Sequence, residues 1–191
     1  RTINSIKEQT FKDFEYIIID GLSNDKTEQI VKNNREIIKT YIREKDKGIY
    51  DAMNKGLNLA NGAYISIINS DDYLNPGALE KIYSESLKNK DSVIFYSDMY
   101  VFYKNIKKKI LLKGKISQES IFDSTLSINH PTIFVPKIIY KKYGTFNKDF
   151  KCSADRELIL RFISKKVEFK KINMPLSSFS LGGTTSKYSF K

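Results

Sequence analysis

The sequence of 191 residues has little of several residue types, with one cysteine, one histidine, four prolines and no tryptophan. The lone Cys152 excludes a disulfide within these residues and any site that needs several cysteines, and it fits a cytosolic protein. No apolar run approaches the roughly 18 residues of a membrane-spanning helix. The first ten residues contain neither an initiator methionine nor a signal-peptide segment, so we expect a fragment or a trimmed chain.

Acidic residues are also scarce. The sequence has 22 Asp and Glu against 33 Lys and Arg, which gives a net charge of +11. Lysine-rich surfaces bind nucleic acid, anionic lipid headgroups or phosphorylated small molecules, and many serve only solubility. The basic residues are scattered, and the densest run, KNIKKK at 104–109, falls between two short strand-like segments. Because no helix-turn-helix, zinc-finger or aromatic-basic RNA-binding pattern is present, we expect no nucleic-acid partner.

Residues 1–98 alternate between two patterns. Buried-strand patterns occupy 15–20, 39–44, 63–69 and 92–97, and helical patterns occupy 23–34, 48–60 and 76–89. In the second helical pattern, for example, apolar residues recur at Ile49, Met53 and Leu57. Strands that alternate with helices of this length predict an α/β fold, with a Rossmann-like, mostly parallel sheet covered by helices on both faces.

The pattern changes after residue 98. The order there is a hairpin, an irregular segment, helices around 136–143 and 155–164, a strand at 167–172, and a polar end expected to be a loop or tail. No low-complexity linker or internal repeat interrupts the chain. We therefore predict one domain in two parts, a nucleotide-type half at 1–98 and a smaller irregular half at 99–191.

Acidic residues follow two of the predicted strands. EYIIID ends on Asp20, and AYISIIN ends on Asn69, which Asp71 and Asp72 follow. Ligands of open parallel sheets bind outside the carboxyl ends of the strands. Two carboxylates about 4 Å apart repel by roughly 4 kcal/mol at an effective dielectric of about 20, so the pair needs a cation, or one member is protonated or exposed. Oxygen ligands suit Mg²⁺ or Mn²⁺, although the same residues are typical of a plain polar turn.

Three stretches resemble family 2 glycosyltransferases of the GT-A fold, of the bacterial type that builds surface polysaccharides. They are SIKEQTFKDFEYIIIDGLSNDKT, DKGIYDAMNKGLNLANGAYISIINSDD and CSADRELILRF. The likeness runs from residue 1 to about 185, although neither GxGxxG nor GxxxxGK[ST] is present. It implies inverting transfer of a sugar from a nucleotide-sugar to an acceptor hydroxyl, in capsule, O-antigen or exopolysaccharide synthesis. The half at 1–98 would then bind the nucleotide-sugar and the half at 99–191 the acceptor.

The resemblance also implies roles for individual residues. Asp155, in SADREL, matches the catalytic base. Asp20 matches the acid near the nucleobase and ribose of the donor. The remaining matches are Asn69, Asp71 and Asp72 for the DxD region that binds Mn²⁺ or Mg²⁺, His130 for a histidine near the donor phosphates or the acceptor, and Gly182 and Gly183 for a loop at the mouth of the site. Without the resemblance, Asp155 reads as a helix N-cap and His130 as a surface or satisfied histidine.

Three further residues have two interpretations each. Asp51 and Asn54 line the donor site or form the polar face of their helix. Arg161 orients a substrate phosphate or forms a structural ion pair, which the spacing from Asp155 favours. Met53 and Leu57 are expected in the core.

The sequence departs from the family pattern at several places. Gly21 stands where the family usually has a second acid, which contacts the nucleobase of the donor, so that contact is not expected from residue 21. Asn69 stands where the first DxD acid is usual, so Asp71 and Asp72 would hold the metal. The family's first strand, expected at the centre of the sheet, precedes the printed sequence; its absence from the molecule would weaken folding and donor binding. Leu158 replaces the Gln of the Q-x-x-R-W signature, which argues against a processive synthase.

Two other functions compete with sugar transfer. One is a nucleotidyltransferase acting on a sugar phosphate, which also uses Mg²⁺ and a Rossmann-like half. The other is an inactive basic binding module that keeps the fold. For a transferase, we expect a saccharide or lipid-linked saccharide acceptor and a cytoplasmic protein in peripheral contact with the anionic inner face of the bacterial plasma membrane.

Overall fold

The computed structural model describes residues 1–103, 108–117, 119, 126–127 and 129–181. The helices are α1 (Thr2–Lys7), α2 (Thr27–Lys32), α3 (Ile49–Leu59), α4 (Ala78–Ser86), α5 (Lys137–Tyr143) and α6 (Ala154–Ser164). The strands are β1 (Ile17–Asp20), β2 (Thr40–Arg43), β3 (Tyr64–Ile65), β4 (Tyr73–Leu74), β5 (Val93–Tyr103), β6 (Lys108–Leu112), β7 (Val135–Pro136) and β8 (Glu168–Leu181). A 3-10 turn covers His130–Thr132.

Strand β5 is covered on both faces, as the apolar run at 92–97 predicts. Ile94 and Tyr96 join a core cluster with residues of α3, α5 and α6. Val93 and Phe95 point to the opposite face and pack with residues of α1 and α4. Since side chains alternate across a strand, this arrangement produces helix layers on both sides of the sheet and confirms the predicted layering.

The strands pair in both parallel and antiparallel ladders. Among the described residues, β1–β2 and β5–β8 are parallel, whereas β3–β7, β4–β8 and β5–β6 are antiparallel. The four-stranded sheet has the order β4-β8-β5-β6, and a bridge between Phe95 and Phe134 connects β5 to the segment before β7. No described ladder joins β1 to β3. The strand pairing is therefore mixed, and its longest ladder is parallel.

Several elements differ from their predicted lengths. Strand β5 continues through 98–103 past a register shift between Ser97 and Met99, so the predicted boundary at 98 falls inside one strand. Strand β8 extends well beyond 172, because it pairs with β5 and then with β4. Helix α2 begins only at Thr27, whose amide donates to Asp25 Oδ1 at 2.9 Å. In the described residues, no helix has the length and apolar character to cross a membrane.

Glu85 of α4 forms a cluster of ion pairs on one face of the molecule. Its carboxylate lies 2.9 Å from Lys81 Nζ, 3.0 Å from Lys170 Nζ and 3.8 Å from Lys88 Nζ, and its side chain is 11% exposed. The hydrogen bonds from Lys81 and Lys170 lower the pKa of Glu85 to about 2. A carboxyl whose pKa is lowered by folding stabilises the folded state above its unfolded-state pKa and loses that effect as the pH falls toward the folded-state value.

We expect Glu85→Gln to lower the free energy of unfolding by about 1 kcal/mol at neutral pH, because the lysine partners are partly exposed to water. The difference from wild type should shrink as the pH falls from about 5 to about 3, which urea denaturation at each pH measures. Glu80→Gln, on an exposed site of the same helix, is the control and should change little. An equal deficit at both ends of this pH range would show that the ion pairs are not its cause.

Candidate active site

Asp20 ends β1 as a buried, fully engaged carboxylate. Its Oδ1 accepts the Ser23 backbone amide at 2.8 Å, and its Oδ2 accepts the Tyr41 hydroxyl at 2.8 Å and lies 3.5 Å from Arg43 Nε. Burial alone would raise the pKa of Asp20, but the hydrogen bonds from Ser23 and Tyr41 and the charge of Arg43 together lower it. The carboxylate is therefore ionised at neutral pH, and it fixes the turn after the strand.

Gly21, a departure from the family pattern, lies against the carboxylate of Asp46. A Cβ atom at position 21 would overlap Oδ2 of Asp46. Asp46 is held there because its Oδ1 accepts the Gly48 backbone amide at 2.9 Å. A carboxylate thus lies beside the end of β1, although residue 21 carries none. Sequence reasoning missed Asp46, and its signal was the DKG triplet immediately before α3.

The NSDD segment separates its two acids by burial. Asp71 is exposed and has a left-handed backbone with φ of 79°, a conformation that Asp and Asn tolerate better than most residues. Asp72 is 2% exposed, and its Oδ1 accepts the Ser180 backbone amide at 3.2 Å. Burial raises the pKa of Asp72 to about 6, against the hydrogen bonds from Ser180 and Asn69. The two neighbouring carboxylates therefore have different environments.

The acids of NSDD fit a divalent cation in their chemistry. Within the described residues, Asp72 Oδ2 is buried without a hydrogen-bond partner, which is a costly state for a carboxylate oxygen. Mg²⁺ and Mn²⁺ prefer such oxygens and commonly combine one or two carboxylates with substrate phosphates. No group of three or more His, Cys, Asp or Glu in the described part of the chain is placed to hold a metal. The remaining ligands would have to come from substrate or water.

A cavity of about 460 Å³ lies between α3, the start of α6 and the β5–β6–β8 sheet. Its polar lining consists of Asn69, Asn129, His130 and Asp155. Its other lining residues are largely apolar, namely Ile49, Tyr50, Met53, Met99, Val101, Ile110, Leu112, Pro131 and Phe179. The structure thus brings together three of the predicted site residues, Asn69, His130 and Asp155, against an apolar wall.

Asp155 lies in the first turn of α6 and borders the cavity. The N-cap position is Ser153, so Asp155 is not the helix cap that its sequence context alone would suggest. Its side chain is half-buried and forms neither a hydrogen bond nor an ion pair with the described residues. A carboxylate that lies in a cavity and is bonded to none of the described residues is available to accept a proton from a substrate.

His130 faces the same cavity from the 3-10 turn. The Thr132 hydroxyl donates to Asn129 O at 2.7 Å within this turn, and the Asn129 side-chain amide donates to Leu112 O at 3.1 Å. Burial lowers the pKa of His130, although the charge of Asp155 opposes this effect. The imidazole is therefore neutral at pH 7 and presents one donor and one acceptor.

Asp51 and Asn54 have structural partners and do not line the cavity. Asp51 accepts the Lys47 amide at 3.1 Å and pairs with Lys148 at 3.3 Å. The Asn54 side chain makes two bonds, of 2.8 and 3.0 Å, with the backbone of Phe146. These placements favour the structural interpretation of both residues over donor binding. Gly182 and Gly183 lie outside the described residues.

Arg161 likewise binds protein groups rather than facing the cavity. Its guanidinium donates twice to Glu157, both at 2.9 Å, and to the carbonyl oxygens of Tyr143 at 2.6 Å and Thr145 at 2.7 Å. All three nitrogens are occupied by this arrangement. Arg161 thus joins α6 to the end of α5, as the structural alternative predicted.

We expect Arg161→Lys to lower the free energy of unfolding by about 1–3 kcal/mol, because an ammonium cannot reproduce the planar fork that serves Glu157 and two carbonyls. Substrate affinity of the folded protein should not change. Thermal denaturation and ligand titration measure the two quantities, with the exposed Arg35→Lys as control. Weakened substrate affinity at unchanged stability would instead make Arg161 a substrate ligand.

Comparison with known proteins agrees with this geometry. The model of the family described as Glycosyl transferase family 2 matches residues 1–144. The chain belongs to glycosyltransferase family 2. An uncharacterised glycosyltransferase of Methanocaldococcus jannaschii is 32% identical over 177 residues, which are 88% of this chain and 60% of that protein. The poly(ribitol-phosphate) beta-N-acetylglucosaminyltransferase TarP of Staphylococcus aureus is 28% identical over 85% of this chain and 52% of its own length.

Solved structures confirm the GT-A-like α/β fold. Staphylococcus aureus TarS 1-349 in complex with UDP-GlcNAc superposes with a TM-score of 0.78 at 17% identity, covering 100% of this chain and 56% of that chain. Another crystal structure of Staphylococcus aureus TarS gives a TM-score of 0.75 over 94% of this chain. This family 2 chain spans 60% and 52% of the two curated relatives and 56% and 34% of the two TarS chains, so the similarity establishes its family and fold.

Proposed function

We propose that the protein transfers a sugar from a nucleotide-sugar to an acceptor hydroxyl with inversion at the anomeric carbon. The observation that carries this proposal is the carboxylate of Asp155, which lies in one cavity with Asn69 of the NSDD segment and is bonded to none of the described residues. Family membership supports it, as does the UDP-GlcNAc complex of the structurally similar TarS.

Asp155 acts as the general base in this reaction. The acceptor hydroxyl enters the cavity, and Asp155 takes its proton as the oxygen forms a bond to the anomeric carbon. The bond from that carbon to the diphosphate breaks on the opposite face, and the diphosphate leaves with the electron pair. His130, which is neutral, orients the acceptor by a hydrogen bond. Attack from the face opposite the leaving group inverts the configuration.

The donor lies along the carboxyl ends of β1 and β3. Asp20 and Asp46 are near the nucleoside, where Asp46 takes the place of the acid that residue 21 lacks. Asp71 and Asp72 would hold Mg²⁺ or Mn²⁺, with Asn69 as a neutral neighbour. When bound, such an ion offsets the negative charge that the diphosphate gains on leaving.

The acceptor faces the apolar wall of the cavity. Met99, Val101, Ile110, Leu112 and Phe179 form this wall on three adjacent strands. Burial of an apolar group there contributes about 25 cal/mol per Å². A saccharide linked to a lipid or another apolar group fits this wall better than a free sugar, and we place the reaction in the synthesis of a surface polysaccharide or glycolipid.

We expect Asp155→Ala to bind the donor normally and to lose transfer by about 100-fold or more. Asp71→Ala should weaken donor binding that depends on Mn²⁺, and Asp72→Ala should do so and also destabilise the fold. A panel of nucleotide-sugars, assayed for binding, hydrolysis and transfer with the full-length protein, measures these effects, and the exposed Asp149→Ala is the control.

Other outcomes of that panel contradict the proposal. Normal transfer by Asp155→Ala would exclude Asp155 as the base. Failure of the wild type to bind any nucleotide in Mn²⁺ would favour a binding module. Release of pyrophosphate from a nucleoside triphosphate and a sugar phosphate would identify a nucleotidyltransferase.

Helix α5 suits contact with an anionic membrane surface. It exposes Ile138, at 52%, together with Lys141 and Lys142, and buries Ile139 and Tyr140. Interfacial helices combine exposed apolar residues with lysines, and α5 offers one such apolar residue beside two lysines. Binding to anionic lipid would bring a lipid-linked acceptor to the cavity, and the net charge of +11 favours it.

We expect the protein to bind vesicles that contain anionic lipid and to dissociate as salt rises, since each lysine near the surface contributes about 1 kcal/mol. The double change Lys141→Gln and Lys142→Gln should weaken vesicle binding about tenfold or more. Lys165→Gln with Lys166→Gln, at the end of α6, removes the same charge and serves as the control. Vesicle binding that does not depend on lipid charge or salt concentration would exclude this contact.

A further inference from the structure

We propose that Tyr50 is a positioning residue that holds the start of α6 and thereby orients Asp155. This inference rests on the proposed role of Asp155 as the base. Tyr50 belongs to α3 and lines the cavity with Asp155, from which it is separated by 105 residues in sequence.

Helix α6 lacks a cap of its own. Its N-cap residue, Ser153, has a left-handed backbone with φ of 63° and makes no side-chain capping hydrogen bond. The first amides of a helix have no partner within the helix and need another acceptor. The backbone amide of Ala154, which is fully buried, donates to the Tyr50 hydroxyl at 3.1 Å. A side chain from α3 thus replaces the missing cap, one residue before Asp155.

The ring of Tyr50 is itself held in place. It stacks on Phe146, with ring centroids 5.7 Å apart and an angle of 19°. Asn54, one turn after Tyr50 on α3, fixes the backbone of Phe146 through the two hydrogen bonds described above. Phe146 also meets His130 edge-on at 5.8 Å. One helix therefore sets the position of both polar groups that face the acceptor.

The protonation state of Tyr50 agrees with a positioning role. Burial raises its pKa, and the negative charge of Asp155 raises it further. The phenol is therefore neutral at physiological pH, and a neutral phenol oxygen accepts the Ala154 amide while keeping its proton. Tyr50 is for this reason not a rival base for the acceptor hydroxyl.

The test is Tyr50→Phe, which keeps the stacked ring and removes only the hydroxyl. We expect kcat to fall about 10- to 100-fold, as for a misplaced catalytic group, with the KM for the donor changed less than about twofold. The melting temperature should stay within about 2 °C, because the ring still packs. Hydrogen exchange of the Ala154 amide should accelerate. Tyr143→Phe, a partly buried tyrosine at the end of α5, is the control and should change none of these quantities.

Two results would overturn the inference. Unchanged kcat in Tyr50→Phe would show that the hydroxyl does not position Asp155. A kcat loss that only follows a lower folded fraction would show a purely structural role. If the wild type transfers no sugar, the proposed function fails, but exchange at Ala154 still decides whether Tyr50 caps α6. Unchanged exchange there would remove the basis of this inference by itself.

Discussion

Burial of β5 on both faces is the constraint on which the rest of the structure depends. A strand without a solvent-facing side must have its backbone groups paired by neighbouring strands, because unpaired buried amides are costly. β8 and β6 supply most of these pairs, and Phe134 supplies one more. Where the register shifts, the Ser97 amide donates to the Thr132 hydroxyl oxygen at 3.3 Å, and Ser97 Oγ accepts the Leu176 amide at 2.9 Å. The turn that carries His130 is therefore fixed by the irregularity of the central strand.

Three aspartates show how environment separates groups of identical chemistry. Asp20 is buried, but hydrogen bonds from Ser23 and Tyr41 stabilise its charged form, and the carboxylate fixes the turn after β1. Asp72 is buried with few donors, and burial raises its pKa to about 6. Asp155 has no described partner and borders the cavity. Position in the fold, rather than residue type, separates a structural acid from one that is free to react.

The sequence predicted the elements whose signals are local. α3, α5 and α6 fall within a residue or two of their predicted bounds, since periodicity and turn residues define such helices. Asp155 and His130 came from motif resemblance, and the structure places them in one cavity. The lengths of β5 and β8 were not predictable, because they depend on pairing between segments far apart in sequence.

Tyr50 and Asp46 were missed for the same reason, because their roles depend on contacts with other segments of the chain. Tyr50 reads as one more aromatic position of an amphipathic helix, and only its contact with Ala154 distinguishes it. Asp46 looks like a surface acid in a charged segment. Only the structure shows that its carboxylate occupies the space that a Cβ atom at position 21 would need. No spacing rule links either residue to its partner.

These distant contacts also affect how the protein folds. Asn54 meets the backbone of Phe146 across 92 residues, and Tyr50 reaches Ala154 across 104. Chains dominated by such non-local pairs fold more slowly than helical proteins of similar size, because long loops close before their contacts form. The α3 contacts with Phe146 and Ala154 therefore close long loops of the chain, and the geometry around Asp155 depends on segments that are far apart in sequence.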